Sequence, residues 1–168
     1  ELRGTIEGLA ARRAAERGAP PVLLAEAQAC LDAIDALLAP PALDDDAFVR
    51  YVEHNQRLHA LLSALAGSRL IARELERVVN LPFASPSAFA LVQATSPQAR
   101  DMLIVAQDQH RQVLDAIERR EGARAEAIMR EHSRLARRNL RDAVGGQAAD
   151  TLPGGRLILG RSPAADVH

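Results

Sequence analysis

The chain is 168 residues long, 48% apolar and 2% aromatic, with no Trp. It is long enough for one domain with a core, too apolar for a disordered chain, and short of strand-forming residues. Twenty-one basic residues, all Arg, nearly balance 22 acidic ones for a net charge of -1, and nothing in this balance looks like a nucleic-acid-binding surface. One cysteine, Cys30, cannot form an internal disulfide, and no apolar run reaches the roughly 18 to 20 residues of a membrane span. A reducing, cytoplasmic setting is expected, and the recurrent Ala and Leu predict an all-α fold.

Helical periodicity runs through six segments, so an antiparallel bundle of six to seven helices is expected. The first carries Leu2, Ile6, Leu9 and Arg13 and should stop near Gly18, before Pro20-Pro21. The second, Pro21 to Leu38, has Leu24, Ala27, Leu31, Ile34 and Leu38 on one stripe and ends at Pro40-Pro41. Asp44, Asp45 and Asp46 supply an N-cap and first-turn carboxylates for a third helix to about Ala66.

After Gly67-Ser68 a fourth helix covers Arg69 to Asn80. Leu81 to Thr95 reads as a loop with a short helix, packed on the body by Phe83, Phe89 and Leu91. Ser96-Pro97 resembles an N-cap and N1 pair opening a fifth helix to Arg120. Gly122 separates it from a sixth, Ala123 to Val144, closed by Gly145-Gly146. The domain is expected over 1–145, with 146–168 as a tail.

Polar residues interrupt three of the inward stripes. On the third helix the stripe Phe48, Tyr51, Val52, Asn55, Leu58, His59, Leu62 places Asn55 and His59 on consecutive turns of one face. The fifth-helix stripe, from Leu103 through Gln107 to Ile117, contains His110. The sixth-helix stripe, from Ala125 through Met129 to Ala136, contains His132. Each alone reads as a hydrogen-bonded core histidine. Together, three buried imidazoles and an amide are costly unless each finds a partner, and one divalent cation satisfies all of them. Imidazole nitrogens suit zinc or nickel. Sequence leaves both readings open, because it does not show whether the three faces converge. His54 points about 100° away from Asn55 and is expected in solvent, as is His168.

These residues resemble a family. Asn55-x-x-x-His59, then Gln109-His110-Arg111 leading to Leu114-Asp115-Ala116-Ile117, then Arg124-Ala125-Glu126-Ala127 leading to Glu131-His132, look like the FCD ligand-binding domain. That domain is the C-terminal effector half of FadR-subfamily regulators of the GntR transcription-factor family. The opening Leu2-Arg3-Gly4-Thr5-Ile6-Glu7-Gly8-Leu9-Ala10 is similar to the family's first helix, and the block from Leu81 to Phe89 looks like one recurring subgroup. The resemblance covers about residues 1 to 144.

In the metal-binding members an Asp-x-x-x-His pair and two later histidines bind a divalent ion that helps hold a small carboxylate effector. Carried over, this resemblance implies His59, His110 and His132 as ligands, with Asn55 in the Asp position as a weak or water-mediated fourth. Asn for Asp makes the site one charge more positive. Arg3 is implied as a partner of the effector carboxylate, against the alternative of an i,i+4 pair with Glu7 on the helix surface.

A homodimer is expected because exposed apolar positions on the first or fourth helix, such as Leu70, Ile71, Leu75 and Val78, exceed what one small bundle need bury, and the resemblance adds to this. Operator DNA would be reached through an N-terminal winged helix-turn-helix that this chain, which begins at Glu1, does not contain. The competing reading is a metal-dependent helical-bundle enzyme in which three histidines activate water. No Glu-x-x-His or His-Glu-x-x-His occurs to support it. A third reading is a dimerisation module without a working pocket.

Overall fold

The computed structural model describes residues 2–81, 85, 86 and 99–146, with side chains described to residue 139. Among these residues there are six helices and no strand: α1 (Leu2–Arg17), α2 (Pro21–Leu38), α3 (Asp45–Leu65), α4 (Arg69–Val79), α5 (Ala99–Glu118) and α6 (Gly122–Gly146). The all-α bundle read from the periodicity is the observed architecture. The expected anchors Phe83, Phe89 and Leu91, the Ser96-Pro97 helix start and the tail after Gly146 lie outside the described residues. No helix among the described residues is long and apolar enough to cross a membrane.

Local chemistry sets the boundaries. Asp44 caps α3, its carboxylate accepting a 2.7 Å hydrogen bond from the Ala47 amide. Gly67, at φ +56, turns the chain into α4, and Ser68 caps that helix through the Ile71 amide. Between α5 and α6 the sequence points to Gly122 as the break, yet Arg120 takes the left-handed conformation, at φ 65. There the amides of Glu121 and Arg120 return to the carbonyls of Ala116 and Ile117, closing the helix end as a Schellman motif. Arg120 is held in this unfavoured conformation by its guanidinium, which donates to the Glu16 carbonyl at the end of α1.

The largest interface is α1 on α6, followed by α2 on α3 and α5 on α6. It does not use the apolar stripe of α1. Leu2 and Leu9 are 59% and 49% exposed and Arg13 is exposed, whereas Gly4, Glu7, Gly8, Ala11 and Ala15 are buried. The seam is selected for smallness: a Cβ on Gly4 would stand 2.5 Å from Ser133 Cβ. The fourth helix needs a correction. Ile71, Leu75 and Val78 are buried within the chain, Ile71 and Leu75 in a cluster with Ala10 and Ala66, and of the four positions offered for a dimer contact only Leu70 is exposed. The main core lies between α2, α3, α5 and α6 around Leu31, Ile34, Leu58, Leu65, Leu114, Ile117 and Met129.

Candidate metal centre

His59 on α3, His110 on α5 and His132 on α6 are brought together inside the bundle, with 6%, 1% and 5% of their surfaces exposed. Their ring centroids are 5.3 Å (His59–His110), 5.4 Å (His59–His132) and 4.4 Å (His110–His132) apart. One ring nitrogen from each can be chosen so that all three lie within 4.8 Å of one another. The separately derived stripes therefore converge, which sequence periodicity could not establish.

The second nitrogen of each ring identifies the tautomers. His59 Nδ1 lies 2.8 Å from Glu7 Oε1, and an ionised carboxylate only accepts, so this Nδ1 carries the proton. His110 Nδ1 lies 3.3 Å from Gln107 Oε1. The Gln107 amide is oriented independently, because its Nε2 donates to the Leu31 carbonyl at 3.0 Å and to Asp35 at 2.8 Å, which turns its oxygen toward His110. His132 Nδ1 lies 3.2 Å from Gln109 Oε1. In the neutral form with all three protons on Nδ1, each Nε2 presents a lone pair.

Those lone pairs lack a sufficient partner of their own. His59 Nε2 is buried without a hydrogen bond. His110 Nε2 and His132 Nε2 face each other at 3.3 Å, an arrangement that is repulsive unless a proton or a cation lies between them. Burial, then the charge that His59 carries when protonated and that of Arg3, holds His110 well below the ordinary imidazole range. Burial, followed by His110, His59 and Arg3, does the same to His132. Neutral imidazoles with Nε2 available and Nδ1 anchored by an acceptor are the form in which histidine binds a transition metal, so these residues fit a divalent ion. The three histidines could hold a metal ion.

Asn55, 3% exposed, lies one turn before His59 and borders a space of about 20 Å³ shared with His132, Tyr51 and Gln109. Arg3 contacts Glu7 rather than open space, its Nη1 standing 3.4 Å from Oε1, and both side chains are largely buried. The intrahelical pair is therefore present, but inside the protein. Burial pushes the Glu7 carboxyl pKa up, and the charge of His59 when protonated, that of Arg3 and the His59 hydrogen bond outweigh it, leaving a net lowering. His54 stays out of the cluster. It is half-buried rather than solvated, with Nδ1 3.9 Å from Cys30 Sγ, and the Cys30 thiol donates to the His54 carbonyl at 3.1 Å. His168 lies outside the described residues.

Glu7, Gln107 and Gln109 are the partners that sequence reasoning missed as site residues. Gln107 stood on the α5 stripe and Glu7 beside the small residues of α1, so a polar residue on a buried face was the available signal for both. Beside the cluster is a cavity of about 450 Å³, into which His59 and Glu7 face together with residues of α4.

A family profile described as the FCD domain matches residues 1–135, a span that includes Arg3, Glu7, Asn55 and all three clustered histidines. No curated protein matches the chain. On the strength of the profile match, and consistent with the helical bundle, the chain belongs to the FCD domain family, the effector-binding C-terminal domain of GntR-family regulators.

Proposed function

We propose that this domain senses a small organic acid at a divalent metal ion held by His59, His110 and His132, as part of a cytoplasmic transcription regulator of the FadR subfamily. The observation that carries the reading is that one nitrogen from each ring lies within 4.8 Å of the others, with His110 Nε2 facing His132 Nε2 and His59 Nε2 without a hydrogen bond, while every Nδ1 is occupied by an acceptor. Three neutral imidazoles favour zinc or nickel, with Asn55 as a weak or water-mediated fourth ligand. Bound there, such an ion supplies a Lewis-acidic position for a carboxylate. Arg3, whose charge is felt at His110 and His132, adds positive potential that favours an anion. Glu7, Gln107 and Gln109 keep the rings in the required tautomer and orientation.

The cavity walls connect this site to α4. They come from α1, α3, α4 and the residues after it, Asn80, Ser85 and Pro86, and α4 itself buries Ile71, Leu75 and Val78. An occupant that bridges Glu7 and His59 to the face of α4 biases where that helix sits. In a homodimer this displacement alters the relative placement of the two copies, and operator DNA is contacted by a different domain of the same regulator.

Elemental analysis of the purified protein, before and after His110→Ala or His132→Ala, tests the centre. Each replacement is expected to remove most of the metal, while His54→Ala keeps it. Calorimetry with small organic acids should detect binding to the loaded protein and lose it on chelation, and light scattering of the same samples should find a dimer. Equal metal in all variants defeats the ligand assignment, undiminished acid binding after chelation makes the ion structural, and a monomer at micromolar concentration removes the dimer.

A further inference from the structure

The cavity beside the histidines is walled by carboxylates. Glu7 lines it from α1 and Glu76 from α4, with His59, the amides of Gln56 and Asn80 and the hydroxyls of Ser63 and Ser85 as further polar groups, and no arginine lines it among the described residues. Ala60, Leu75 and Val79 form apolar surface between them. Glu7 is the informative member. Its Oε1 is used by His59 and Arg3, but its Oε2 is buried with no hydrogen-bond partner. A buried carboxylate oxygen without a donor is among the costlier defects a protein can carry, and in a native site it marks where a bound group completes the network.

We infer that the effector carries a cationic amine at the end remote from its carboxylate, and that Glu7 and Glu76 receive that amine. This rests on the sensor reading above, which places the carboxylate at the metal. An ammonium offers three donors and a positive charge, so it meets both the unpartnered oxygen and the second carboxylate. A hydroxyl meets the first need only, an alkyl chain neither, and a second carboxylate on the ligand is repelled by both walls. The preferred class is an amino acid whose amine and carboxylate are separated by a short apolar chain, in contrast to a diacid.

The test is calorimetry on the zinc-loaded dimer with four probes that share a four-carbon skeleton: 4-aminobutanoate, 4-hydroxybutanoate, butanoate and butanedioate. 4-Aminobutanoate should bind about ten-fold tighter than butanoate, as one charge-assisted contact allows, with the hydroxyl probe between them and butanedioate weakest. Glu76→Gln, an exposed position on α4, should shrink the ratio of 4-aminobutanoate to butanoate affinity several-fold, with metal content checking that the variant is folded. Equal affinities for 4-aminobutanoate and butanoate, tightest binding of butanedioate, or an amine preference untouched by Glu76→Gln would each overturn the inference and leave the sensor reading standing. If none of the four binds the loaded protein, the sensor reading fails and takes this inference with it.

Discussion

Two layers of the same three helices meet their burial requirements in opposite ways. Near the α5–α6 turn, Leu62 and Leu65 of α3, Val113, Leu114 and Ile117 of α5, and Ala125 and Met129 of α6 form one apolar cluster. About one turn farther along α5 and α6 the inward positions become His110 and His132, joined by His59 and Asn55 of α3. The first layer is complete in itself, since every side chain gains by leaving water and none needs a particular partner. The second is satisfied only on its outer edge, where Glu7, Gln107 and Gln109 take the three Nδ1 protons. Its inner edge, where His110 Nε2 faces His132 Nε2 and His59 Nε2 has no hydrogen bond, has no such closure. Stability is concentrated in the one layer and binding capacity in the other, and a helix can carry both because adjacent turns are chemically independent.

The largest effect that can break this comparison is on the apolar layer. Leu114→Ala should cost about 2–5 kcal/mol in denaturant unfolding, since the side chain is fully buried and its neighbours close only part of the void. A loss below about 1 kcal/mol would mean the layer is not the rigid half of the bundle. Next is the seam that brings α1, and Glu7 with it, to the polar layer. Gly4→Ala should destabilise by about 1–3 kcal/mol despite the better helix propensity of Ala, because its Cβ meets Ser133 beside His132. A rise in melting temperature would show that α1 has room to spare.

The smallest and most gradual effect expected is of acid on the metal-free protein, and it should act on the polar layer alone. His110 and His132 are held below the ordinary value of 6.5, so as pH falls through 6.5 the unfolded chain takes up protons before the folded one. Their contribution is therefore intact above about 6.5 and is lost progressively below it. Glu7, lowered from 4.5, acts in the same direction at lower pH: its contribution is present above 4.5 and fades as pH falls through the folded value. Melting temperature should decline from pH 7 to pH 5, and replacing His110 and His132 together by Leu should flatten the decline. A wild-type curve that is level over this range would contradict the burial of neutral imidazoles.

The sequence determined the helices and most of their faces, because caps, prolines and 3.6-residue periodicity act within a few residues of one another. Asp44 before α3, Ser68 before α4, and the stripes carrying Asn55, His59, His110 and His132 needed no knowledge of what lies across the core. Tertiary structure decided what depends on neighbours distant in sequence. Periodicity weighs hydrophobicity, so on α1 it picked out Leu2, Ile6 and Leu9, whereas the criterion that governs the α1–α6 seam is size, and Gly4, Gly8, Ala11 and Ala15 are what allow the two backbones to approach. The same approach carries Glu7 to His59, 52 residues away, and no local rule could pair them. For α4, a strongly amphipathic pattern stated that Ile71, Leu75 and Val78 share a face but not whether that face meets this chain or another; the covering surface, Ala10 and Ala66, exists only once α1 and α3 are in place.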